Sequence, residues 1–303
     1  MKKNKLINGV VPAIITPFDF KNNIYEQGIY NQIDYLSSNN IKSLFIGGSY
    51  GSFALMSISE RKQLIKWALS KTQEYKIQSI VQVGTPTTKD SIELANFAES
   101  NGADIISSVV PYYYSGSILS EEDILIYFEK LCNSTNLPVH CYNNPKTTGF
   151  NILPKFFSKL INIGLSGIKD GGGDIERLTQ MLDIVKNSKK SIDYVAGSTS
   201  LLLVSVISGA NGCVSGVALV IPDLLNKFFK ACYNKEIDEA LLLQDKILKV
   251  RNILNLYGAR AIACYDILHH KGIDVGTCRS PWRRFNKKTI TSLISNLEDI
   301  GCL

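Results

Sequence analysis

A lysine at the end of an apolar run is the most chemically suggestive residue of this 303-residue sequence. In the run 165–170 (LSGIKD), the alternation of a strand places Lys169 and Ile168 on opposite faces. If Ile168 packs outward against helices, the amine of Lys169 points into the interior, where desolvation lowers its pKa and makes it a nucleophile toward a carbonyl. The alternative is a lysine that reaches solvent from the strand end or pairs with Asp170.

A tyrosine ends the preceding apolar run in the same way. In the run 138–144, alternation places His140 and Tyr142 on one face and Cys141 on the other. A phenol at a strand end can pass protons between an amine, a carbinolamine hydroxyl and a substrate oxygen, although packing is the commoner role of a buried tyrosine. His140 lies deeper in the run, so we assign it to the core.

A glycine-rich turn follows the second apolar run. It reads Gly47-Gly48-Ser49-Tyr50-Gly51. Its backbone N–H groups and the Ser49 hydroxyl can bind a carboxylate, the anion that every 2-oxo acid carries. Glycine-rich strand ends are common, however, and Ser49 can equally cap the next segment.

Eight β-rich apolar runs, separated by segments with helical spacing, are the elements that must position these residues. Strict alternation implies parallel strands joined by helices, and eight such units close most simply as a (β/α)8 TIM barrel, an α/β fold with its active site at the C-terminal strand ends. An open doubly wound sheet is the competitor, but its glycine-rich phosphate turn is missing after the first run. The runs are 10–18, 41–48, 79–85, 104–113, 138–144, 165–170, 193–197 and 212–218.

Capping residues predict where two helices begin, and helical spacing predicts the structure of the C-terminal part. Ser120 with Asp123, and Thr87 with Asp90, place a side-chain acceptor before a first helical turn and an acid three residues later. After residue 220 no strand is predicted. We expect a barrel core over residues 1–220 and, over 221–303, the last barrel helix with a C-terminal helical extension. Helical spacing continues over 223–234, 238–256, 260–271 and 288–297.

Composition favours a soluble cytoplasmic protein. There is no run of about 20 apolar residues, and the basic start MKKNKLING lacks the apolar stretch of a signal peptide. The seven cysteines are odd in number and form no C-x-x-C pair, so neither a disulfide framework nor a zinc site is expected. The net charge of +6, densest at 279–288, is too weak and too poor in interleaved aromatic residues to predict nucleic-acid binding.

Five motifs in order carry a resemblance to a known family. They read GGSYGSFALMSISERK, PYYY, YNNP-x-x-TG, GIKDGGGD and GIDVG-x-x-R-x-P. Together they resemble the dihydrodipicolinate synthase and N-acetylneuraminate lyase family of class I pyruvate aldolases, from Thr16-Pro17 to about Pro281. The resemblance implies a barrel assembled as a homotetramer, and a covalent Schiff base with the substrate in place of a metal or organic cofactor.

The resemblance also assigns roles to residues. The family's Schiff-base lysine falls on Lys169 and its catalytic tyrosine on Tyr142. Ser49 matches the hydroxyl residue that contacts the pyruvate carboxylate or hands a proton onward. Tyr113 matches the tyrosine that reaches across a subunit interface to extend this relay. Gly197 and Val214 match positions beside the bound pyruvyl group. Gly48 and the backbone N–H of Tyr50 belong to the turn that is expected to bind the carboxylate.

Two departures bear on the substrate. Where the family loop commonly reads G-[ST]-T-G-E, this loop has Tyr50 and Ser52, so the carboxylate must rely on Ser49 and backbone N–H groups. Dihydrodipicolinate synthases bind the aldehyde partner's carboxylate with an arginine, and the matching residue here is Thr147. Lys146 is adjacent, but a one-residue offset in an extended segment points its side chain elsewhere. This departure counts against that synthase.

Sialic acid lyases have an acid pair where this sequence has Thr199 and Ser200, whose hydroxyls can still bind a polyol. We therefore expect reversible cleavage of a 2-oxo acid, such as a 2-oxo-3-deoxy sugar acid or a sialic-acid-like compound, to pyruvate and an aldehyde. The enzymatic alternatives are a dihydrodipicolinate synthase, which condenses pyruvate with aspartate semialdehyde, and a 2-oxo acid dehydratase. A regulatory barrel that only binds a small molecule is the non-enzymatic alternative; the presence of both Lys169 and Tyr142 counts against it.

Overall fold

The protein is described here from a computed structural model, in which residues 6–258 and 260–303 can be described. Within these ranges one sheet contains eight strands in the order β1-β8-β7-β6-β5-β4-β3-β2. This order, with helices alternating with the strands, is that of a (β/α)8 barrel and confirms the predicted fold. The strands are β1 (Gly9–Pro12), β2 (Ser43–Ile46), β3 (Gln78–Gln82), β4 (Ile105–Val109), β5 (Val139–Asn143), β6 (Gly167–Asp170), β7 (Asp193–Ala196) and β8 (Gly212–Ser215).

Helices cover most of the segments between the strands and most of residues 221–303. The last four begin and end within two residues of the predicted helical segments. In the described ranges the helices are α1 (Glu26–Ser38), α2 (Ile58–Glu74), α3 (Thr88–Ser100), α4 (Glu121–Asn133), α5 (Pro145–Thr148), α6 (Pro154–Asn162), α7 (Ile175–Asn187), α8 (Leu202–Ile207), α9 (Val217–Val220), α10 (Pro222–Asn234), α11 (Ile237–Leu256), α12 (Arg260–His270) and α13 (Lys287–Asp299).

Every predicted run overlaps a strand, but the first and fourth runs extend well past theirs. After Pro12, the residues Ile14, Ile15 and Phe18 are buried although they lie outside a strand. Burial in a loop selects apolar side chains as strongly as burial in a strand does, so hydrophobicity alone overestimated the strand length.

Both predicted helix caps form. The Ser120 hydroxyl accepts a hydrogen bond from the Asp123 N–H, and the Asp123 carboxylate accepts one from the Ser120 N–H, which completes a capping box. Thr87 Oγ1 accepts from the Asp90 N–H at 3.1 Å. These bonds satisfy N–H groups that the first helical turn leaves without acceptors.

The chain divides into two compact units. The first comprises the described residues up to Gly9 together with Ser79–Val214, and contains β4 to β7. The second comprises Val10–Gln78 and Ser215–Leu303, and contains α1, α2 and α9 to α13. The boundary near residue 220 between barrel core and extension remains a prediction. None of the helices described is long and apolar enough to span a membrane, and all seven cysteines are free thiols.

Candidate active site

Lys169 and Tyr142 face each other across neighbouring strands of the first unit. They are Cα partners in the parallel pairing of β5 with β6. The Nζ atom of Lys169 lies 3.6 Å from the centroid of the Tyr142 ring, and each residue is only 7% exposed. The sequence predicted both residues, and the structure brings them together.

The surroundings of Lys169 favour the neutral form of its amine. Burial lowers the pKa of Lys169 below its ordinary value, and this effect outweighs the charge and hydrogen bond of the Tyr142 hydroxyl, which raise it. A lower pKa increases the neutral fraction of the amine, the form that attacks a carbonyl. Ile168 is fully buried on the other face of β6, as alternation predicted. The Asp170 carboxylate, which alternation places on the opposite face of β6 from Lys169, binds Arg177.

The segment after Tyr142 corrects one step of the sequence analysis. Asn144 Nδ2 donates to the Tyr142 hydroxyl at 3.3 Å, and the helical turn α5 follows. Lys146 and Thr147 therefore lie in a helix, not in an extended segment, and consecutive side chains differ by about 100° instead of alternating. The prediction of an extended segment at Lys146 was wrong, and alternation does not determine where its side chain points. Thr147 is exposed, and its role in substrate binding remains a prediction.

A buried polar layer lies directly below the lysine and tyrosine, on the same face of the sheet. Ser107, His140, Gly167 and Asp193 are successive Cα partners across β4, β5, β6 and β7. Gln82 of β3 continues this layer as the partner of Ser107. His140 is 1% exposed, which agrees with its predicted place in the core. Interior layers of such barrels usually consist of bulky branched residues, whereas this layer is largely polar.

The glycine-rich turn lies in the second unit. Gly47 has a φ of +67°, and a side chain at Gly48 would collide with the Phe45 ring at 2.6 Å, so both positions need glycine. Thr16 Oγ1 donates to the Gly51 carbonyl at 2.5 Å and anchors the turn. Ser49 is partly exposed, as expected of a ligand-binding hydroxyl, but its role is still a prediction.

Tyr50 packs against the second unit's own backbone. Its ring occupies the space beside the Gly216 Cα, so that a Cβ at Gly216 would overlap the ring. The unusual aromatic residue of the turn is therefore accommodated by a glycine immediately after β8. This packing involves the Tyr50 ring. The predicted binding of a carboxylate involves only the backbone N–H of Tyr50, so the two are compatible.

The remaining predicted binding residues of the first unit lie at the ends of β7 and β8. The Gly197 N–H donates to the Asp170 carbonyl at 2.7 Å, and a Cβ at Gly197 would lie 2.9 Å from that oxygen. Thr199 is partly exposed in the 3-10 turn Thr199–Leu201, and Val214 is buried in β8. Their contacts with a substrate remain predictions.

Tyr113 follows β4 in a strained and exposed position. Its φ is +83°, a region that disfavours a bulky side chain, and it is 83% exposed. Its ring meets Tyr114 edge-to-face at 4.8 Å between centroids. Strained backbone of this kind is concentrated at functional positions.

A group of buried polar residues behind β6 was not predicted from the sequence. Asp170 binds Arg177 of α7 and the hydroxyl of Tyr194 in β7. A basic residue in the first turn of the helix after GGGD was the one available sequence signal. In the described parts of the chain no group of His, Cys, Asp and Glu side chains is arranged to hold a metal ion.

Comparison with known proteins places this geometry in a family. The sequence model of the dihydrodipicolinate synthetase family matches residues 6–300. A 4-hydroxy-tetrahydrodipicolinate synthase of Bacillus velezensis is 28% identical over 295 residues, which cover 97% of this chain and 99% of that protein. The Escherichia coli protein YjhH, named a probable 2-dehydro-3-deoxy-D-pentonate aldolase, is 26% identical over 254 residues, or 83% of each chain.

A solved structure supports the fold independently. The crystal structure of YagE from Escherichia coli, a prophage protein of the dihydrodipicolinic acid synthase family in complex with pyruvate, has a TM-score of 0.92 to this chain. The match covers 98% of this chain and 100% of YagE at 24% identity. At this level of identity the likeness establishes a shared fold.

Proposed function

We propose that this chain, which belongs to the dihydrodipicolinate synthetase family, is a Schiff-base-forming lyase that reversibly cleaves a 2-oxo acid to pyruvate and an aldehyde. Membership makes the chain an enzyme of the class I aldolase and lyase type. The observation that carries the proposal is the position of the buried Lys169 amine, 3.6 Å from the Tyr142 ring centroid. A regulatory barrel needs neither a desolvated amine nor a phenol beside it.

The proposed reaction begins at the C2 carbonyl of the substrate. The neutral Nζ of Lys169 attacks this carbon to form a carbinolamine, which loses water to give an iminium ion. The iminium accepts the electron pair of the C3–C4 bond as that bond breaks, the C4 hydroxyl loses its proton, and the aldehyde leaves. Protonation of the remaining enamine at C3, followed by hydrolysis, releases pyruvate and regenerates the amine.

Tyr142 is the proposed proton carrier for these steps. Its hydroxyl accepts a hydrogen bond from Asn144 and interacts with the Lys169 amine, so it can move a proton to and from the carbinolamine oxygen. No organic cofactor or metal enters this scheme, because the iminium itself supplies the electron sink. We propose the same absence of cofactor for the natural reaction.

The aldehyde portion of the substrate is proposed to carry hydroxyl groups. Thr147 and Thr199 are partly or fully exposed near the ends of β5 and β7, and hydroxyl side chains suit a polyol better than a second carboxylate. The name of the E. coli relative, a 2-dehydro-3-deoxy-D-pentonate aldolase, fits this substrate class. The name of the B. velezensis relative favours the synthase as the second candidate, in which pyruvate condenses with aspartate semialdehyde.

Ser49 and Tyr113 receive the supporting roles that the family resemblance assigns. We propose that Ser49 and the N–H groups of the turn bind the pyruvate carboxylate. Tyr113 is exposed, so we propose that it acts in the active site of a neighbouring subunit. We further propose that the protein is a homotetramer and that it works in the cytoplasm. The exposure and backbone strain of Tyr113 support a contact that forms only on assembly.

Trapping the covalent intermediate tests the proposal. The protein is incubated with pyruvate, reduced with borohydride, and analysed by intact and peptide mass. We expect a pyruvyl adduct on Lys169 that is absent from Lys169→Ala. A folded protein that forms no adduct in excess pyruvate would overturn the proposal. With an adduct established, release of pyruvate from 2-oxo-3-deoxy acids is compared with consumption of aspartate semialdehyde to decide between the two candidates.

A further inference from the structure

The residues next to the reactive pair form a second pair on the opposite face of the sheet. Asp170 follows Lys169 on β6, and Asn143 follows Tyr142 on β5. Asn143 and Asp170 are themselves Cα partners, and Asn143 Nδ2 donates to Asp170 Oδ1 at 2.9 Å. Because successive side chains of a strand alternate, this second pair faces the helices while Lys169 and Tyr142 face the interior.

The Asp170 carboxylate also accepts hydrogen bonds from β7, from α7 and from the turn after β6. The Tyr194 hydroxyl of β7 donates to Oδ2 at 2.5 Å. The Nη2 atom of Arg177 in α7 lies 2.9 Å from both carboxylate oxygens, and the Gly172 N–H donates to Oδ1 at 3.0 Å. Asn143, Asp170, Arg177 and Tyr194 are buried and form what we call the outer-face cluster.

The cluster and its backbone bonds join the strand ends that carry the chemistry. The Gly171 N–H donates to the Asn143 carbonyl at 2.9 Å, which ties β6 to β5. The Gly197 N–H donates to the Asp170 carbonyl at 2.7 Å, which ties β7 to β6. A side chain at Gly172 would overlap the Arg177 guanidinium, so the glycine-rich turn after Lys169 is shaped to admit this arginine.

Asn143 extends the connection to the segment after α5. Its Oδ1 accepts from the Ile152 N–H at 3.0 Å, and its Nδ2 also donates to Asn151 Oδ1 at 3.0 Å. The residue that follows Tyr142 is therefore held from two directions, by Asp170 and by this segment. Rotation of the β5 end, which would move the Tyr142 ring, breaks these bonds.

We propose that the outer-face cluster positions Lys169 and Tyr142 for Schiff-base formation by fixing the ends of β5, β6 and β7. None of the four residues faces the interior side on which Lys169 and Tyr142 lie, so they act as positioning residues through the backbone. Displacement of a reacting group by about 1 Å can reduce a rate by about 100-fold. Asn143 and Asp170 adjoin Tyr142 and Lys169 in the chain, so loss of the cluster's hydrogen bonds should lower the rate of Schiff-base formation. This proposal rests on the proposed function.

Tyr194→Phe is the sharpest test, because it removes one hydroxyl and keeps the ring. Tyr127→Phe is the matched control: Tyr127 is also buried in the first unit, and its hydroxyl bonds Ser108 Oγ at 2.6 Å behind β4. We expect Tyr194→Phe to lower the rate of pyruvyl adduct formation by about 10-fold, with a smaller change in the pyruvate KM. Tyr127→Phe should retain the wild-type rate at a similar loss of thermal stability.

Asp170→Asn should have a larger effect than Tyr194→Phe. Among the described residues the Nε and Nη1 atoms of Arg177 make no hydrogen bond, so loss of the Asp170 charge leaves the guanidinium uncompensated. Should this variant not fold, Tyr194→Phe alone decides the question. Equal adduct rates for Tyr194→Phe and Tyr127→Phe would overturn the proposal.

A second readout separates this proposal from the proposed function. Reductive methylation with formaldehyde and cyanoborohydride modifies neutral amines and needs no pyruvate, and peptide mass gives the extent at Lys169 as a function of pH. If the cluster holds the strand ends, Tyr194→Phe should loosen them, admit water and move the Lys169 midpoint upward toward that of an exposed lysine. An unchanged midpoint means that the cluster is purely structural, whether or not the wild-type protein binds pyruvate.

Discussion

The Nε2 atom of His140 lies 3.5 Å from a carboxylate oxygen of Asp193, with both side chains buried in the first unit. Asp193 is held by other donors, since it accepts hydrogen bonds from the N–H groups of Leu6 and Ile7 and from the side chain of Asn211. Burial lowers the pKa of His140 to about 3. The imidazole is therefore neutral in the folded protein at neutral pH, despite its acidic neighbour.

His140 should make the protein sensitive to acid. Its pKa is near 6.5 when unfolded and about 3 when folded, so between these values the unfolded state binds more protons. The stabilising contribution is fully present above pH 6.5 and is lost as the pH falls toward 3, by about 1.4 kcal/mol per pH unit. His140→Leu should reduce the slope of unfolding free energy against pH, measured by urea unfolding.

The control for this experiment is His270→Gln, which removes an imidazole from an exposed position at the end of α12. His140→Leu should reduce the slope of unfolding free energy against pH by the same amount in the His270→Gln protein as in the wild type. Identical slopes with and without His140 would show that the histidine does not remain neutral on folding.

Lys169 should form the pyruvyl adduct at a lower pH than an exposed lysine would. Burial lowers its pKa while the Tyr142 hydroxyl raises it, so Tyr142→Phe should move the midpoint of the pH-rate profile further down. The same change removes the proposed proton carrier, and we expect the plateau rate to fall by about 100-fold. Initial rates of borohydride-trapped adduct over a pH series measure both effects. A midpoint that moves up in Tyr142→Phe would contradict the arrangement described.

Tyr50 and Gly216 should behave as a coupled pair. Gly216→Ala places a methyl group where the Tyr50 ring lies, and overpacking of this kind costs roughly 1–3 kcal/mol of stability. Tyr50→Ala removes the ring, so the added methyl group should cost little in the double variant. A double-mutant cycle of unfolding free energies measures the coupling. Additive effects of the two changes would exclude the contact.

Arg279, from the last of the five motifs, should act as a structural clamp of the second unit. Its guanidinium lies 4.2 Å from the centroid of the Phe18 ring, and it bonds Glu60 Oε1 at 2.5 Å and the Asn22 side chain at 3.1 Å. Arg279→Met should lower the free energy of unfolding by about 2–4 kcal/mol, because Glu60 and the neighbouring carbonyl groups lose their charged donor. Thermal and urea unfolding provide the measurement.

The matched control for Arg279 is Arg283→Met, an exposed arginine four residues later. It should change stability by less than about 0.5 kcal/mol, as is usual for surface positions. If both variants lost the same free energy of unfolding, the effect would come from the change in net charge. The contacts of Arg279 would then not stabilise the second unit.

Much of the fold could be predicted because it is encoded locally. Each of the eight apolar runs overlaps a strand, and the hydroxyls of Ser120 and Thr87 cap the first turns of the predicted helices. Strand ends were less predictable: β1 ends at Pro12, and the buried residues Ala13 and Phe18 after it form only isolated bridges. The turn at Lys146 and Thr147 was misjudged for a related reason, because a single helical turn leaves no periodicity to detect.

The sequence by itself determined the order of the elements and the interior placement of Lys169 and Tyr142, because alternation within β5 and β6 decides which side chains share a face. Only the tertiary structure decided what surrounds that pair. The contacts of Asp170 with Tyr194, and of Tyr50 with Gly216, join positions far apart in the chain. Such contacts depend on the register between strands and on how each element packs, and no pattern within a single segment specifies either one.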